Sequence, residues 1–466
     1  MVSVLEYVYL MKESFGFKEL GRQFKKKIVL RPMLLIAISF FVVIMLGSVL
    51  LVCPFAHEPG VEVNYLNALF TSVTSTCVTG LVDLPLGIAS SYSLAGEIII
   101  LILIQLGGLG VTAIGSLLIL LIFGKVTLGQ QQLIKETWNL SSAQVLKKVF
   151  YYTLLITFIV EILGAVLSFI SFYCIHSLDA AIAAKRAIFH SISSFNNAGI
   201  DLLGTTSLIG FNDPLLLITT SVLIILGGLG YVVIVNVVSK KFNFKKFRAH
   251  TKIVLIMTAI LLVFGTLFIY LSSYSGGSFL LSFTDSMFLS VSTRTAGFTT
   301  VDLNLVPTAS LIVMILLMFI GASPGGTGGG IKTTTIFVIF AYIRSVFQNK
   351  EPYGFKRQIN KDTTRKALLI FTVSISLIIT MSLVITITET AYGNELPYDH
   401  VLFETTSAFA TVGLSTGITP SLSEVSRIFL ILLMYIGRIG PMSIATVLKS
   451  HSIQTWKYVE ENIPIG

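Results

Sequence analysis

Long apolar runs alternate with short polar stretches along almost the whole chain. The runs lie at 33–53 and 95–124, 149–175 and 214–239, 252–274 and 308–345, then 366–390 and 425–449. Each has the length that a helix needs to cross a hydrocarbon core, about 20 residues. Between the two members of each pair sits a stretch too short and too polar to cross. These four stretches resemble one another: LNALFTSVTSTCVTGL (66–81), KRAIFHSISSFNNAGI (185–200), DSMFLSVSTRTAGF (285–298) and HVLFETTSAFATVGL (400–414). Each opens on a short helical run with a phenylalanine and Ser/Thr residues. Each closes on a small polar tract with one glycine, which is Gly80, Gly199, Gly297 or Gly413.

The second run of each pair carries its own mark: IQLGGLG (104–110), ILGGLG (225–230), FIGASPGG (319–326) and YIGRIGP (435–441). Two marks recurring in register four times define a repeated unit of helix, re-entrant hairpin and helix. The expected fold is an all-α polytopic membrane protein. Eight transmembrane helices and four re-entrant pore helices surround a pseudo-fourfold pore. The repeats are 33–124, 149–239, 252–345 and 366–449, with an N-terminal segment 1–32 and a tail 450–466.

Composition agrees with a lipid environment. Hydrophobic residues make up 54% of the 466 residues, charged residues 12%, and mean hydropathy is +0.87. Soluble domains carry about a quarter charged residues. The three cysteines, Cys53, Cys77 and Cys174, are scattered in or beside apolar runs and suggest neither a disulfide framework nor a zinc site.

Most of the charge behind the net +9 lies between the apolar runs. Basic residues cluster in RQFKKKIVLR (22–31), KKFNFKKFRAH (240–250) and KEPYGFKRQINKDTTRK (350–366), while HEPGVE (57–62) and NELPYD (394–399) lean acidic. That split is the positive-inside pattern, which places both termini in the cytoplasm of a multi-pass cell-membrane protein. Lys and Arg here orient helices and face anionic lipid, so nucleic acid is not an expected partner. The first apolar run is long and follows a polar segment, unlike a cleavable signal peptide.

Irregular backbone at membrane depth survives only where it lines water or is buried in protein. Four hairpins around one axis therefore imply a shared aqueous pathway. A short helix that enters halfway points its partially negative C-terminus at the bilayer centre. The tract that returns leaves carbonyl oxygens free to face the axis, where a ring of them replaces the water shell of a monovalent cation. Val78-Thr79-Gly80, Asn197-Ala198-Gly199, Thr295-Ala296-Gly297 and Thr411-Val412-Gly413 are the candidate filter, coordinating through backbone carbonyls. Glycine suits the turn because it reaches backbone angles that a Cβ forbids. A lone glycine there would be read as an ordinary turn.

The tracts TCVTGL, FNNAG, TRTAGF and FATVGLSTG, with YIGRIGP near the end, resemble the Ktr/Trk/HKT superfamily of potassium transporters. They look closest to the membrane subunit of a bacterial Ktr potassium uptake system, and the likeness covers essentially residues 30 to 450. A glycine at position 80, where sodium-admitting members tend to carry serine, implies selectivity for potassium. Cys77 departs from the threonine common in relatives, which matters little if only its carbonyl contributes. The resemblance further implies a homodimer in the membrane, with SIQTWKYVEENIPIG near the contact. It also implies a separate cytosolic ring of nucleotide-binding regulatory subunits docked on the basic loops. Sodium dependence stays open.

GASPGGTGGGIKTTT (321–335) interrupts the second run of repeat three. Pro324 and the glycines Gly325, Gly326, Gly328, Gly329 and Gly330 are expected to break that helix just cytoplasmic to the filter. Gly321, Ser323 and Thr327 complete a mobile segment, and Lys332 with Thr333 to Thr335 holds one end. The resemblance implies that this segment is a gate obstructing the pore. Arg438, flanked by glycines in the last run, is expensive inside a membrane. On the pore side it forms an electrostatic barrier below the filter, as the resemblance also implies; the alternative is a structural ion pair.

Arg294, in the third tract, is expected to face away from the axis and brace neighbouring carbonyls, with Glu404 as a plausible partner. Glu161 reads as a helix-packing contact more than a coupling-ion site, and His190 as a hydrogen-bonded packing residue. Lys185 and Arg186 breach the positive-inside rule without a sequence-level reason.

Enzyme readings fail. A phosphate loop needs Gly-Lys-Ser/Thr after a strand. Here Ile331 separates Gly330 from Lys332, and the preceding segment is an apolar helix. No nucleotide is therefore expected on this chain alone. A coupled transporter of organic solutes would favour inverted repeats around a midplane site. These repeats all start inside, and their tracts suit a bare ion.

Overall fold

A computed structural model describes residues 32–109, 143–204, 207–274 and 280–440. The N-terminal segment, the last part of the 95–124 run, Pro441 and the tail lie outside the described residues, as does any placement of the termini.

The described chain is almost wholly helical. Three helices are long and apolar enough to cross a membrane unaided: α4 (Ala143–Ile170, running into a π-helical turn at Ser171–Ile175), α8 (Ala249–Ser273) and α12 (Lys361–Ala391). Only 28%, 33% and 22% of their most apolar stretches is buried. Phe158, Ile162 and Val166 on α4 and Val263 and Leu271 on α8 point outward, while Thr157, Glu161 and Ser168 on α4 are buried. That inversion of the soluble pattern fits a lipid-facing exterior.

A further apolar pair, α6 (Pro214–Leu229) and α7 (Tyr231–Ser239), is sharply bent, its two helices meeting at 95°. Gly230 makes the bend at φ +89°, a conformation that a side chain disfavours. Shorter apolar helices are α1 (Pro32–Val52), α3 (Leu94–Gly108), α10 (Thr308–Phe319) and α11 (Thr333–Phe347). α14 (Glu424–Ile439) closes the described chain. A two-stranded hairpin, β1 (Tyr353–Gly354) with β2 (Arg357–Gln358), lies in the basic loop between α11 and α12.

Four short helices occupy the polar stretches: α2 (Tyr65–Cys77), α5 (Ala180–Asn196), α9 (Phe283–Ser292) and α13 (Tyr398–Ala410). The side chains of Asn64, Asp179 and Ser282 cap the first three by accepting from backbone amides. Three of the short helices join their neighbours by one repeated contact. The hydroxyls of Ser72, Ser191 and Ser290 donate to the carbonyls of Ile44, Glu161 and Leu262, at 2.7, 2.6 and 2.9 Å. Gly47, Gly164 and Gly265, one turn on, leave no room for a Cβ beside those serines. Small residues at such crossings let backbones approach, the usual means of packing helices in lipid.

The break in the 308–345 run falls earlier than proline chemistry suggests. α10 ends at Phe319, five residues before Pro324, and a parallel bridge between Ile320 and Ile331 closes the neck of the loop. The helix stops where its chain turns into that bridge, so Pro324 sits inside the loop and does not begin it.

Candidate ion pathway

The pore-helix ends decide the local geometry. Val78, Asn197 and Thr411 adopt left-handed backbone at φ +56°, +59° and +50°, and Thr295 lies at φ +110°. In the first, second and fourth tracts the next amide folds back five residues: Thr79 to the Thr74 carbonyl, Ala198 to Ser193 and Val412 to Ser407, at 2.8, 2.8 and 2.9 Å. The third tract differs, because α9 stops at Ser292 and the Ala296 amide donates to the Ser292 carbonyl. Two residues after each left-handed position comes the glycine, at φ +104°, +65°, +81° and +90° for Gly80, Gly199, Gly297 and Gly413.

The four glycines close a circle. A Cβ on Gly80 would come within 3.0 Å of the Ala198 carbonyl oxygen, one on Gly199 of Ala296, one on Gly297 of Val412, and one on Gly413 of Thr79. Every tract thus abuts the carbonyl of the next, and the fourth returns to the first. The Asn197 amide and Thr295 hydroxyl also meet at 2.8 Å, tying the second tract to the third. Val78, Thr79, Ala198, Thr295, Ala296, Thr411 and Val412 are fully buried.

Hydroxyls behind the tracts hold them, and the sequence reading missed these. Thr74 Oγ1 accepts from the Gly80 amide at 2.9 Å, Ser407 Oγ from Gly413 at 3.0 Å and Ser193 Oγ from Ile200 at 3.1 Å. Ser292 Oγ donates to the Phe298 carbonyl. Thr74, Ser193 and Ser407 each precede their glycine by the same interval, a signal that was present in the aligned stretches.

The second glycine mark has a physical cause. A Cβ on Gly107, Gly227 or Gly437 would collide with the carbonyl oxygen of Thr76, Phe195 or Phe409. Three inner helices therefore press on the C-terminal carbonyls of three pore helices. In the third unit the loop takes that position, with Gly328 and Gly329 seated against the side chains of Thr295 and Thr411.

The loop is docked by backbone bonds. The amides of Ser323 and Thr327 donate to the carbonyls of Gly228 and Gly227 at 3.1 Å each, and the Tyr231 amide donates to Gly325 at 3.3 Å. Gly326 folds back on Ser323, and a Cβ on Gly321 or Gly330 would meet the opposite side of the neck. Pro324 offers its carbonyl beside Gly230. Lys332 Nζ donates to the carbonyls of Gly328 and Gly329 at 2.7 and 3.3 Å, and Ser323 Oγ lies 3.1 Å from Thr333 Oγ1. Buried Arg438 donates Nη1 to the Thr327 carbonyl and Nη2 to that of Gly107. Every gate residue named from the sequence is in this one assembly.

The plausible Arg294–Glu404 pairing does not form. Glu404 accepts from the hydroxyls of Ser415 and Thr419, which follow its own tract and are nearer along the chain. Buried Arg294 lines a small cavity with Asn197, Gly228 and Thr258. Glu161 accepts from the amides of Gln105 at 3.3 Å and Asn196 at 3.0 Å, a packing contact between units. His190 bonds Thr220 at 2.8 Å. Lys185 gains a reason: its Nζ donates to Glu97 at 2.9 Å, while Arg186 lies over the Phe211 ring.

Beyond the glycines opens a cavity of about 360 Å³ lined by Gly80, Gly199, Gly413, Asp201 and Thr299, among others. Asp201 accepts from the Leu203 amide at 3.0 Å, and burial pushes its carboxyl up to about 6. Among the described residues no group of three or more His, Cys, Asp or Glu is placed to hold a metal ion.

A family model described as "TrkH: Cation transport protein" matches residues 33–458. The chain belongs to the TrkH cation transport family. Similar proteins include the potassium/sodium uptake protein NtpJ of Enterococcus hirae, 35% identical over 446 residues, covering 94% of this chain and 98% of that protein. The Ktr system potassium uptake protein B of Vibrio alginolyticus is 37% identical over 446 residues, covering 93% and 94%. The crystal structure of the potassium transporter TrkH from Vibrio parahaemolyticus has the same fold, with a TM-score of 0.66 at 18% identity over 90% of this chain and 84% of that one. The chain is thus a member of a family of transport proteins and a homologue of Ktr uptake proteins.

Proposed function

We propose that this protein takes up potassium through a filter made by the carbonyls of residues 78–80, 197–199, 295–297 and 411–413. The observation that carries the reading is the closed circle of four tracts, each glycine against the carbonyl of the next. Carbonyl oxygens of fixed number and spacing substitute for the hydration shell of a monovalent cation, so no charged ligand is needed. The repeated serine–carbonyl joint in three units supports four repeats, 33–124, 149–239, 252–345 and 366–449, with eight spans and four re-entrant helices. The names of the Enterococcus and Vibrio relatives support potassium as substrate, and the first also keeps sodium dependence in the proposal.

The loop 321–335 is the gate. It occupies the third unit's place beneath the tracts, and Arg438 and Lys332 bring positive charge to the same point of a cation pathway. A cytosolic nucleotide-binding ring docks on the basic loops and acts on the gate, and two copies pair in the membrane. Both features follow from the resemblance to Ktr membrane subunits.

The test is rubidium flux into liposomes holding the full chain, with potassium or sodium as competitor. Potassium should suppress rubidium uptake far more strongly than sodium. Equal competition by the two ions, or uptake of an organic solute without rubidium flux, overturns the filter.

A further inference from the structure

α7 connects the gate loop to an exposed basic turn, and the turn has the chemistry of a membrane surface. At its start, the Tyr231 amide donates to the Gly325 carbonyl of the loop. At its end, the chain reads SKKFNFKKFRAHTK (239–252), with Lys240, Lys241, Lys245, Lys246, Arg248 and Lys252 and no acidic residue from 231 to 252. Among the described residues none of these six cations is in an ion pair. Phe242 is 76% exposed and Val238 58% exposed, side by side with the lysines.

The turn is fastened to α7. Asn236 Oδ1, buried on α7, accepts from the Arg248 amide at 3.3 Å, which clips the far side of the turn back onto the helix. Phe244 and Phe247 pack edge to face, Lys252 lies over the Phe244 ring, and Phe247 is buried. Lys241 and Phe242 both hold left-handed backbone, at φ +50° and +59°, and carry the exposed ring off the helix end. The helix of nine residues is about 13 Å long, and it leaves α6 at 95°. With α6 crossing the bilayer, α7 runs along its plane. Basic residues interleaved with exposed aromatic and aliphatic ones on such an element are the composition of an interfacial anchor.

We propose that residues 238–252 bind the anionic headgroups of phospholipids, and that this binding holds the gate loop seated through α7 and the Tyr231–Gly325 bond. A ligand favours the conformation it fits. Here the lysines, the bend and the seated loop belong to one conformation, so anionic lipid closes the pathway. An acidic protein surface would match the charge but leave Phe242 and Val238 without an apolar environment. The proposal rests on the gate reading of 321–335 and adds the ligand that acts on it.

The experiment uses the full chain without any cytosolic subunit, in vesicles of phosphatidylcholine alone or mixed with phosphatidylglycerol. Rubidium flux should be several-fold lower in the anionic vesicles, and the difference should shrink as ionic strength rises and screens the headgroups. K240Q/K241Q/K245Q/K246Q should give equal flux in both and retain fewer phosphatidylglycerol molecules by native mass spectrometry. N236A should retain the lipid yet lose its effect on flux, because the clip is gone. Lipid-insensitive flux of the unaltered chain, or a lipid effect that persists in the quadruple variant, overturns the inference. So does an effect of the lysines seen only when a cytosolic protein is added. Absence of rubidium flux in every vesicle is instead a failure of the transport reading, and the bound-lipid count then still decides the site.

Discussion

At Gly80 two independent constraints exclude a side chain. The backbone lies at φ +104°, and a Cβ would come 2.6 Å from the Ala198 carbonyl oxygen. Gly80→Ser therefore pushes a neighbouring tract outward or rotates its carbonyl. A ring that discriminates by oxygen position loses selectivity before it loses conduction. Sodium should compete with rubidium uptake several-fold better in this variant than in the unaltered chain. An unchanged potassium preference in the same competition assay would place the filter elsewhere. The glycine positions were legible because glycine alone tolerates both constraints. The residues two places earlier were not: Val78, Thr295 and Thr411 are β-branched and adopt positive φ, which their type disfavours. Local sequence preference argues against that backbone, and only the surrounding circle of tracts imposes it. Such strain at buried positions, of order 1–3 kcal/mol each, is typical of functional sites. Thr74, Ser193 and Ser407 were readable in principle, since their spacing to the glycine repeats, yet hydroxyls in apolar helices so often bond their own helix that the pattern carried no distinct signal.

At the level of elements, the apolar runs announced themselves by length, and the polar stretches by their resemblance to one another. Where a helix ends was harder. α10 stops at Phe319, ahead of any glycine or proline, because the chain forms a bridge to Ile331 that no local rule foretells. Likewise the bend at Gly230 was hidden inside a continuous apolar run, and it depends on the loop that packs against it. The loop itself behaves as a plug with backbone fastenings. Removing Gly325 to Gly330 deletes Thr327 and with it the bonds to Gly227, Phe195 and Arg438, as well as the Gly325 carbonyl that Tyr231 holds. The adjacent neck residues Ile320 and Ile331 leave the two helices within reach of a shortened connection. Rubidium flux through the full chain lacking 325–330 should rise several-fold in liposomes. Lower or equal flux from a protein that still elutes as a folded, monodisperse species would show that the loop does not obstruct the pathway.

Across the whole molecule, the proposed pathway carries charge of opposite sign on the two sides of the tracts. Lys332 and Arg438 lie on the loop side. On the other side the cavity is lined, among the described residues, by a single ionisable group, Asp201. A carboxylate in a cleft with low-dielectric walls raises the local cation concentration, so Asp201 should assist entry while it is charged. Burial pushes its carboxyl up to about 6, a rise offset in part by the Leu203 amide, the Ser207 hydroxyl and the nearby Arg186 charge. The sign follows: above about 6 the group is an anion and attracts the ion, and below it the group takes a proton and the attraction goes. External acidification from pH 7.5 to roughly 5, which brackets that value, should therefore lower the rate of rubidium entry at subsaturating concentration. Saturating rates should change little, because an attractive mouth alters capture more than passage. Asp201→Asn should show the low rate at every pH and lose the dependence. If Asp201→Asn keeps the full acid response, the titrating group lies elsewhere and the outer mouth gathers cations without it.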